Sequence, residues 1–501
     1  YVRAAGAPEP AAAGDWPIYR CDNSRSGACA TGVPARLKQT WRAELGGRLT
    51  QPIVAGGRVY VAAIDAHTLY ALDAATGKPI WHFLAGGRID SPPAVTGRTL
   101  IFGSADGWVY CLAAEDGSLA WRRLVAPRDR QIVAMQQVES LWPLHGSVLV
   151  HEGAVYALAG RNMFFDGGMR LVRIEAATGR MLSQTVLNEL DPNTGKNLQT
   201  LIVHKSMPVA NPDILSCDGK RVYMGAQRFN LEGKRLEIAS ISAKSATPPG
   251  DSEHLFCPTG FLDDLWFHRS YWTYGVNFPE GWAEYNIAQK RSPSGRIMAI
   301  GPSRAFGYRA DGLGNTLLPT PRYRLYAAEL GVQEGGEAAP AKGATGKGEG
   351  RKAARKGDAK KAPKAKPADG GAIAGRHKVC WQIESPPLLV NAMALAGGNL
   401  IVAGPPDVAD ESKMLGFLPG ADDEVNRSLQ AQEDAWRGGK GALLWIVSAD
   451  DGKELARYKL QSLPVWDGLA AAIPDGETLE LVPGEFQSLP VWDGLAAAAG
   501  R

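Results

Sequence analysis

The chain has 501 residues, a formal net charge of +3 and 45% hydrophobic residues, enough to bury a large core. Its 59 glycines, 33 prolines and 14 tryptophans exclude a mainly helical protein and fit an all-β one rich in turns. No run of 18 apolar residues occurs, which excludes a transmembrane helix of ordinary length.

In chain order, residues 1–15 read as a flexible leader, because Ala4 to Gly14 is dominated by Ala and Pro. The start at Tyr1 fits either a removed secretion signal or an excised fragment. Cys21 and Cys29 follow in a Gly/Ser-rich loop, where they either close a small disulfide or stay free thiols. With Cys111, Cys217, Cys257 and Cys380 they form no C-x-x-C pair, so zinc and redox motifs are unsupported and no metal site is expected.

A repeat begins at residue 41. Trp41, Trp81 and Trp121 are spaced by 40 (81 − 41 and 121 − 81). Residues 46–81 align with 86–121: Gly46-Gly47-Arg48 recurs as Gly86-Gly87-Arg88, and Tyr70 as Tyr110. Each unit reads as short strands joined by Gly or Asp turns at 8–12-residue spacing, the pattern of a propeller blade. Such a unit cannot bury both faces alone, so units must stack about an axis. Weaker copies span 152–179, 218–234, 294–309 and 397–458, about six units in all. Gly77, Gly117 and Gly179 sit at the turn before the last strand of their units and are assigned a structural role with the tryptophans.

The insertions carry the candidate chemistry, since conspicuous loop residues are better functional hints than strand residues. Residues 128–147 bring Trp142 and His145, and residues 160–168 bring Arg161, Asn162 and Asp166. His204 and Lys205 stand at the next blade entrance. The aromatic-dense stretch 250–290 contains DDLWFHRSYWTYG at 263–275. There Asp263, Asp264, Trp266, His268, Arg269, Tyr271 and Trp272 crowd together, and His268, Arg269 and Tyr271 are the candidate catalytic set. An Arg neutralising a carboxylate beside a His or Tyr that moves a proton would suit elimination from an acidic sugar, with aromatics stacking on the ring. Loop hydrogen bonding and the filling of an irregular blade are the plainer roles for all of these residues.

Residues 334–375 break the pattern. Between Lys342 and Lys366 ten Lys/Arg face Glu349 and Asp358, a local net of +8, which leaves about −5 (3 − 8) for the remainder. This composition reads as a disordered insert, either a solvated spacer or a tether to an anionic surface such as lipid, nucleic acid or acidic polysaccharide. Finally, QSLPVWDGLAAA occurs twice, at 461–472 and 487–498, and the last blade reads as incomplete.

The run Ala71, Asp73, Thr76, Gly77, Trp81 (A-x-D-x-x-T-G-x-x-x-W) resembles the repeat of the pyrroloquinoline-quinone-like (PQQ-like) family. That family includes quinoprotein dehydrogenases and the outer-membrane assembly lipoprotein. The match is good over 41–183, loose over 205–330 and fair over 376–475. The resemblance implies a secreted or periplasmic β-propeller of seven or eight four-stranded blades, seven being preferred. It also implies tryptophans packed between blades and a last blade closed by an N-terminal strand, for which Leu37 to Trp41 is well placed. The dehydrogenases of the family carry two adjacent cysteines, a tryptophan floor and a Ca²⁺ for the quinone. This chain has no adjacent cysteines and no C-x-x-C-H, so PQQ and Ca²⁺ are not expected.

The resulting expectation is a propeller over 16–333 and 376–501 that binds a protein or polysaccharide partner at one face without catalysis. A lyase-like enzyme acting on acidic glycans is the alternative, and a PQQ-dependent dehydrogenase the third reading.

Overall fold

The computed structural model describes residues 14–201, 214–225, 227–236, 255–257, 272–275, 292–310, 323–332, 377–409, 423–472, 489–492 and 495–500. The chain is an all-β propeller. Apart from a two-stranded hairpin, the described strands fall into eight sheets.

The first sheet shows how the sequence makes a blade. Its antiparallel strands Ile53–Ala55, Arg58–Ala63, Thr68–Asp73 and Pro79–Leu84 are neighbours in chain order. The second strand is apolar on both faces and almost wholly buried, because a sheet lies on either side of it. In the outermost strand only Trp81 is buried, and its neighbours alternate into solvent. The second sheet (Ala94–Thr96 to Leu119–Leu124) and third sheet (Leu149–His151 to Met181–Leu187) repeat this order.

Neighbouring sheets are joined by a tryptophan seated on a glycine. The Trp41 ring lies against Gly77, Trp81 against Gly117, Trp121 against Gly179 and Trp381 against Gly452. A Cβ on Gly117, Gly179 or Gly452 would stand 2.6, 2.7 or 2.8 Å from its ring, closer than any side chain can go. All four glycines also have φ near +70°. Each indole Nε1–H donates to the carbonyl three residues before the glycine: Ala74 (2.8 Å), Ala114 (3.1 Å), Ala176 (2.9 Å) and Ala449 (3.0 Å). The ring thus buries its apolar area and satisfies its one donor in the same contact.

The eighth sheet closes the ring. It runs Leu463–Ala471, Leu495–Gly500, Leu489–Trp492, then Gln39–Ala43 from the start of the chain. The expected N-terminal strand is therefore in place, with Trp41 opposite Val491. The sheet read as incomplete has four strands, because the two QSLPVWDGLAAA copies pair with each other, Leu469 opposite Ala497 and Ala470 opposite Ala496.

Residues 14–31 lie along the axis. Trp16 and Val54 exchange backbone bonds of 2.6 and 3.0 Å on the free edge of the first sheet's innermost strand. The same inner edges are met at Val95 by Pro17, at Val150 and Cys217 by Asn23, at Ile300 by Ser26 and at Leu395 by Gly27. Ala28–Cys29 adds a parallel strand to Ala392–Ala396 of the seventh sheet. Tyr19 and Arg20 bind the Asp467 carboxylate of the eighth sheet at 2.8 and 2.6 Å, and Arg20 stacks over Trp272 of the fifth at 4.5 Å. All eight sheets are thereby contacted by one short stretch.

Candidate functional site

Because strands alternate in direction, the loops entering each innermost strand and the loops between second and third strands share one end of the propeller. The tryptophan–glycine turns lie at the other end. On the loop end the sequence places residues 85–93, the long connection 125–148 and the loop 160–168. The connection 125–148 contains the hairpin Gln131–Ala134 and Gln137–Ser140, paired from Gln131–Ser140 to Ala134–Gln137.

These loops are tied by a chain of charged side chains. The Arg88 guanidinium holds Asp90 through Nε at 3.1 Å and Glu139 through Nη2 at 2.8 Å. Asp90 Oδ2 lies 2.6 Å from His145 Nδ1, and Glu139 Oε1 pairs with Arg161 Nη2. Arg88, Asp90 and Glu139 have side chains no more than 2% exposed. Burial pushes the Asp90 carboxyl up, but bonds and charge from His145 and Arg88 outweigh it and hold the group below its usual range. Two arginines face two carboxylates, so the chain neutralises itself. It works as a strut between loops rather than as a hook for an anion.

His145 and Arg161, both singled out in the sequence, are brought into one network, and their companions stand beside them. Trp142 Nε1 donates to the Asp166 carbonyl at 3.0 Å, and Asn162 Oδ1 accepts from Phe164 N at 2.9 Å. Arg161 Nη1 reaches the Leu141 carbonyl at 3.3 Å. Trp272 sits elsewhere, 1% exposed within the fifth sheet and stacked under Arg20. His204, Lys205, Asp263, Asp264, Trp266, His268, Arg269 and Tyr271 lie outside the described residues. Asp90 and Glu139 were not anticipated. The signal was available in the repeat: Asp90 occupies the position of Thr50, whose hydroxyl only accepts from Ala62 N at 3.0 Å.

With Nδ1 taken by Asp90, the His145 Nε2 is the nitrogen left for proton transfer. Among the described residues no three His, Cys, Asp or Glu side chains come together as a metal site. Cys21 and Cys29 are free thiols, both pushed up by burial, Cys29 to about 11.

The hairpin stands above this strut. Gln137, beside the turn, bonds His67 Nε2 at 2.5 Å, and Ser140 N, at the base, donates to the Ala105 carbonyl at 2.7 Å, so the hairpin is tied at both ends to loops of the first two sheets. Its outer side is apolar and in solvent: Val133 is 77%, Met135 60% and Val138 54% exposed. Phe165, on the neighbouring loop 160–168, is 65% exposed.

Compared with known proteins, residues 34–232 match the family model described as outer membrane protein assembly factor BamB. Among solved structures, the quinohemoprotein alcohol dehydrogenase ADHIIG from Pseudomonas putida HK5 is similar at 12% identity and a TM-score of 0.53, over 98% of this chain and 76% of that one. A europium-containing methanol dehydrogenase is similar at 12% identity and a TM-score of 0.50, over 93% of this chain and 88% of that one. At such identity these likenesses show the fold alone. No curated protein matches the chain.

Proposed function

This chain is a PQQ-like repeat β-propeller, and we propose that it is a non-catalytic scaffold of the cell envelope that docks a partner protein on its loop end. One observation carries the reading: a hairpin held by buried ion pairs, and tied to the first sheet beside its turn, leaves Val133, Met135 and Val138 in solvent. Exposed apolar side chains on a rigid support are what a docking surface needs, because little ordering entropy is then lost on binding. The family description as an outer membrane protein assembly factor supports the same reading. No helix among the described residues is long and apolar enough to cross a membrane.

The enzymatic readings draw less support. The Asp90–His145 pair offers a base, but both arginines beside it are already bound to carboxylates, leaving neither to neutralise a uronate. A quinone would need a flat axial slot, whereas Tyr19, Arg20 and Arg25 lie along the axis and are at most 3% exposed. Arg25 there donates to the carbonyls of Leu215 (2.7 Å) and Tyr19 (2.9 Å).

The test is site-specific photocrosslinking in cells of the full chain. A Met135→p-benzoylphenylalanine protein is expected to give discrete protein adducts that Glu139→Gln weakens, while the same residue at Leu455, on an outer strand, gives none. Equal labelling at both positions overturns the reading. So does release of unsaturated uronate, followed by absorbance, from any of a panel of acidic polysaccharides.

A further inference from the structure

Among the described residues, the hairpin 131–140 has one edge closed and one open. In an antiparallel ladder alternate pairs exchange both backbone bonds, and residues of the pairs between turn their N–H and C=O outward. The two-residue turn Met135-Gln136 makes Ala134–Gln137 a bonded pair, so Gln131, Val133, Val138 and Ser140 are the outward-turned residues. On the second strand the outward Ser140 N–H is taken by the Ala105 carbonyl. On the first strand, Gln131 and Val133 make no hydrogen bond to any other described residue outside the hairpin.

Proteins guard such edges with a lysine, a proline, a bulge or a covering loop. Gln131–Ala134 has no charge and no proline, and its register with Gln137–Ser140 is continuous. None of its four residues is buried. The strand is also held ready: Glu139, opposite Ile132, is locked between Arg88 and Arg161.

We propose that the Gln131–Ala134 edge receives an extended segment of a partner protein as a third strand. Backbone bonds to Gln131 and Val133 would hold the segment, and an apolar side chain would lie over Val133 and Val138. The inference rests on the scaffold reading and names how that docking is done. Two copies of this chain meeting through a four-residue edge would bury far less than the roughly 1,200 Å² of a stable interface, whereas one extended strand is held by its backbone bonds.

The probe is a fluorescein-labelled peptide of alternating Thr and Val, titrated into the full chain and followed by anisotropy. Saturable binding is expected. It should weaken at least tenfold when the peptide is N-methylated on alternate residues, and at least tenfold with Val133→Lys, while Val133→Thr stays within threefold. Circular dichroism and melting of Val133→Lys should match the parent, since residue 133 is outside the ladder bonds. Binding that ignores both N-methylation and Val133→Lys but is lost in Met135→Asp overturns strand addition and leaves a docking face standing. No saturable binding, combined with failure of the Met135 photocrosslink, overturns both. A concentration-dependent dimer in light scattering that Val133→Lys abolishes makes a second copy the occupant and overturns the proposal.

Discussion

Two kinds of joint hold this ring together, one at each end. At the turn end, a tryptophan rests on a glycine and the contact is repeated at Trp41, Trp81, Trp121 and Trp381. At the loop end, the joint between the second and third sheets is a single chain of charges, Arg161–Glu139–Arg88–Asp90–His145. The first kind is apolar, indifferent to pH and part of the repeat. The second is built of buried charged side chains and is not copied at Arg48, which pairs with Asp65 in solvent. A repeat protein can reuse an apolar joint freely, but a buried ionic joint must be built whole, since a missing partner leaves a charge stranded.

The comparison can be broken by removing each joint in turn. Trp121→Ala should cost about 4 kcal/mol, the loss of a buried indole against a glycine that cannot fill the gap, read from the urea midpoint. A cost under about 1 kcal/mol would mean the tryptophans are ornamental. Glu139→Gln should cost about 3 kcal/mol by removing the carboxylate between Arg88 and Arg161, which leaves Arg161 without its ion pair and Arg88 with Asp90 alone, and amide exchange should accelerate in 131–140 but not in 58–63.

Acid should separate the two ends. Asp90 is held below the usual value of about 3.9, so its contribution is fully present above about pH 4 and is lost as pH falls toward the lowered folded value. Melting followed from pH 6 to pH 3 should show exchange rising first in 131–148. Asp90→Asn should abolish that acid step, and an acid step that persists in Asp90→Asn would assign it elsewhere. The smallest effect sharpens the picture of the hairpin. Met135 and Gln136 both have positive φ, a turn that favours Asn-Gly. Met135→Asn with Gln136→Gly should stabilise the ribbon by about 1 kcal/mol, seen as slower exchange of the ladder-bonded amides of Ile132, Ala134, Gln137 and Glu139.

The two joints were unequally legible in the sequence. The tryptophan joint could be read because three rings stand 40 residues apart and two of them reach glycines 36 positions on (77 − 41, 117 − 81). Trp381 was missed because its glycine is 71 positions away (452 − 381), with the helix Asp423–Trp436 among the residues between. The ionic joint was half legible. His145 and Arg161 stand out by residue type, but Asp90 and Glu139 look like ordinary surface acids until the fold buries them. Arg88 and Arg48 occupy one repeat position, yet Arg48 pairs with Asp65 in solvent and Arg88 is enclosed. The axial stretch gave the least warning of all. Its carbonyls and amides do most of the binding to the inner edges, and backbone groups leave no trace in residue type.

That axial stretch governs the order of assembly. The Tyr19–Asp467 bond joins positions 448 apart, and Cys29 Sγ reaches the Ala471 carbonyl across 442. Contacts between residues so distant in the chain are slow to find each other, because a very long loop must close before they yield anything. The stretch 14–31 therefore has to wait for residues 463–471 before its last partners exist. The sheets between can form one after another from local hairpins, but the hub on which they all bear is completed only at the end.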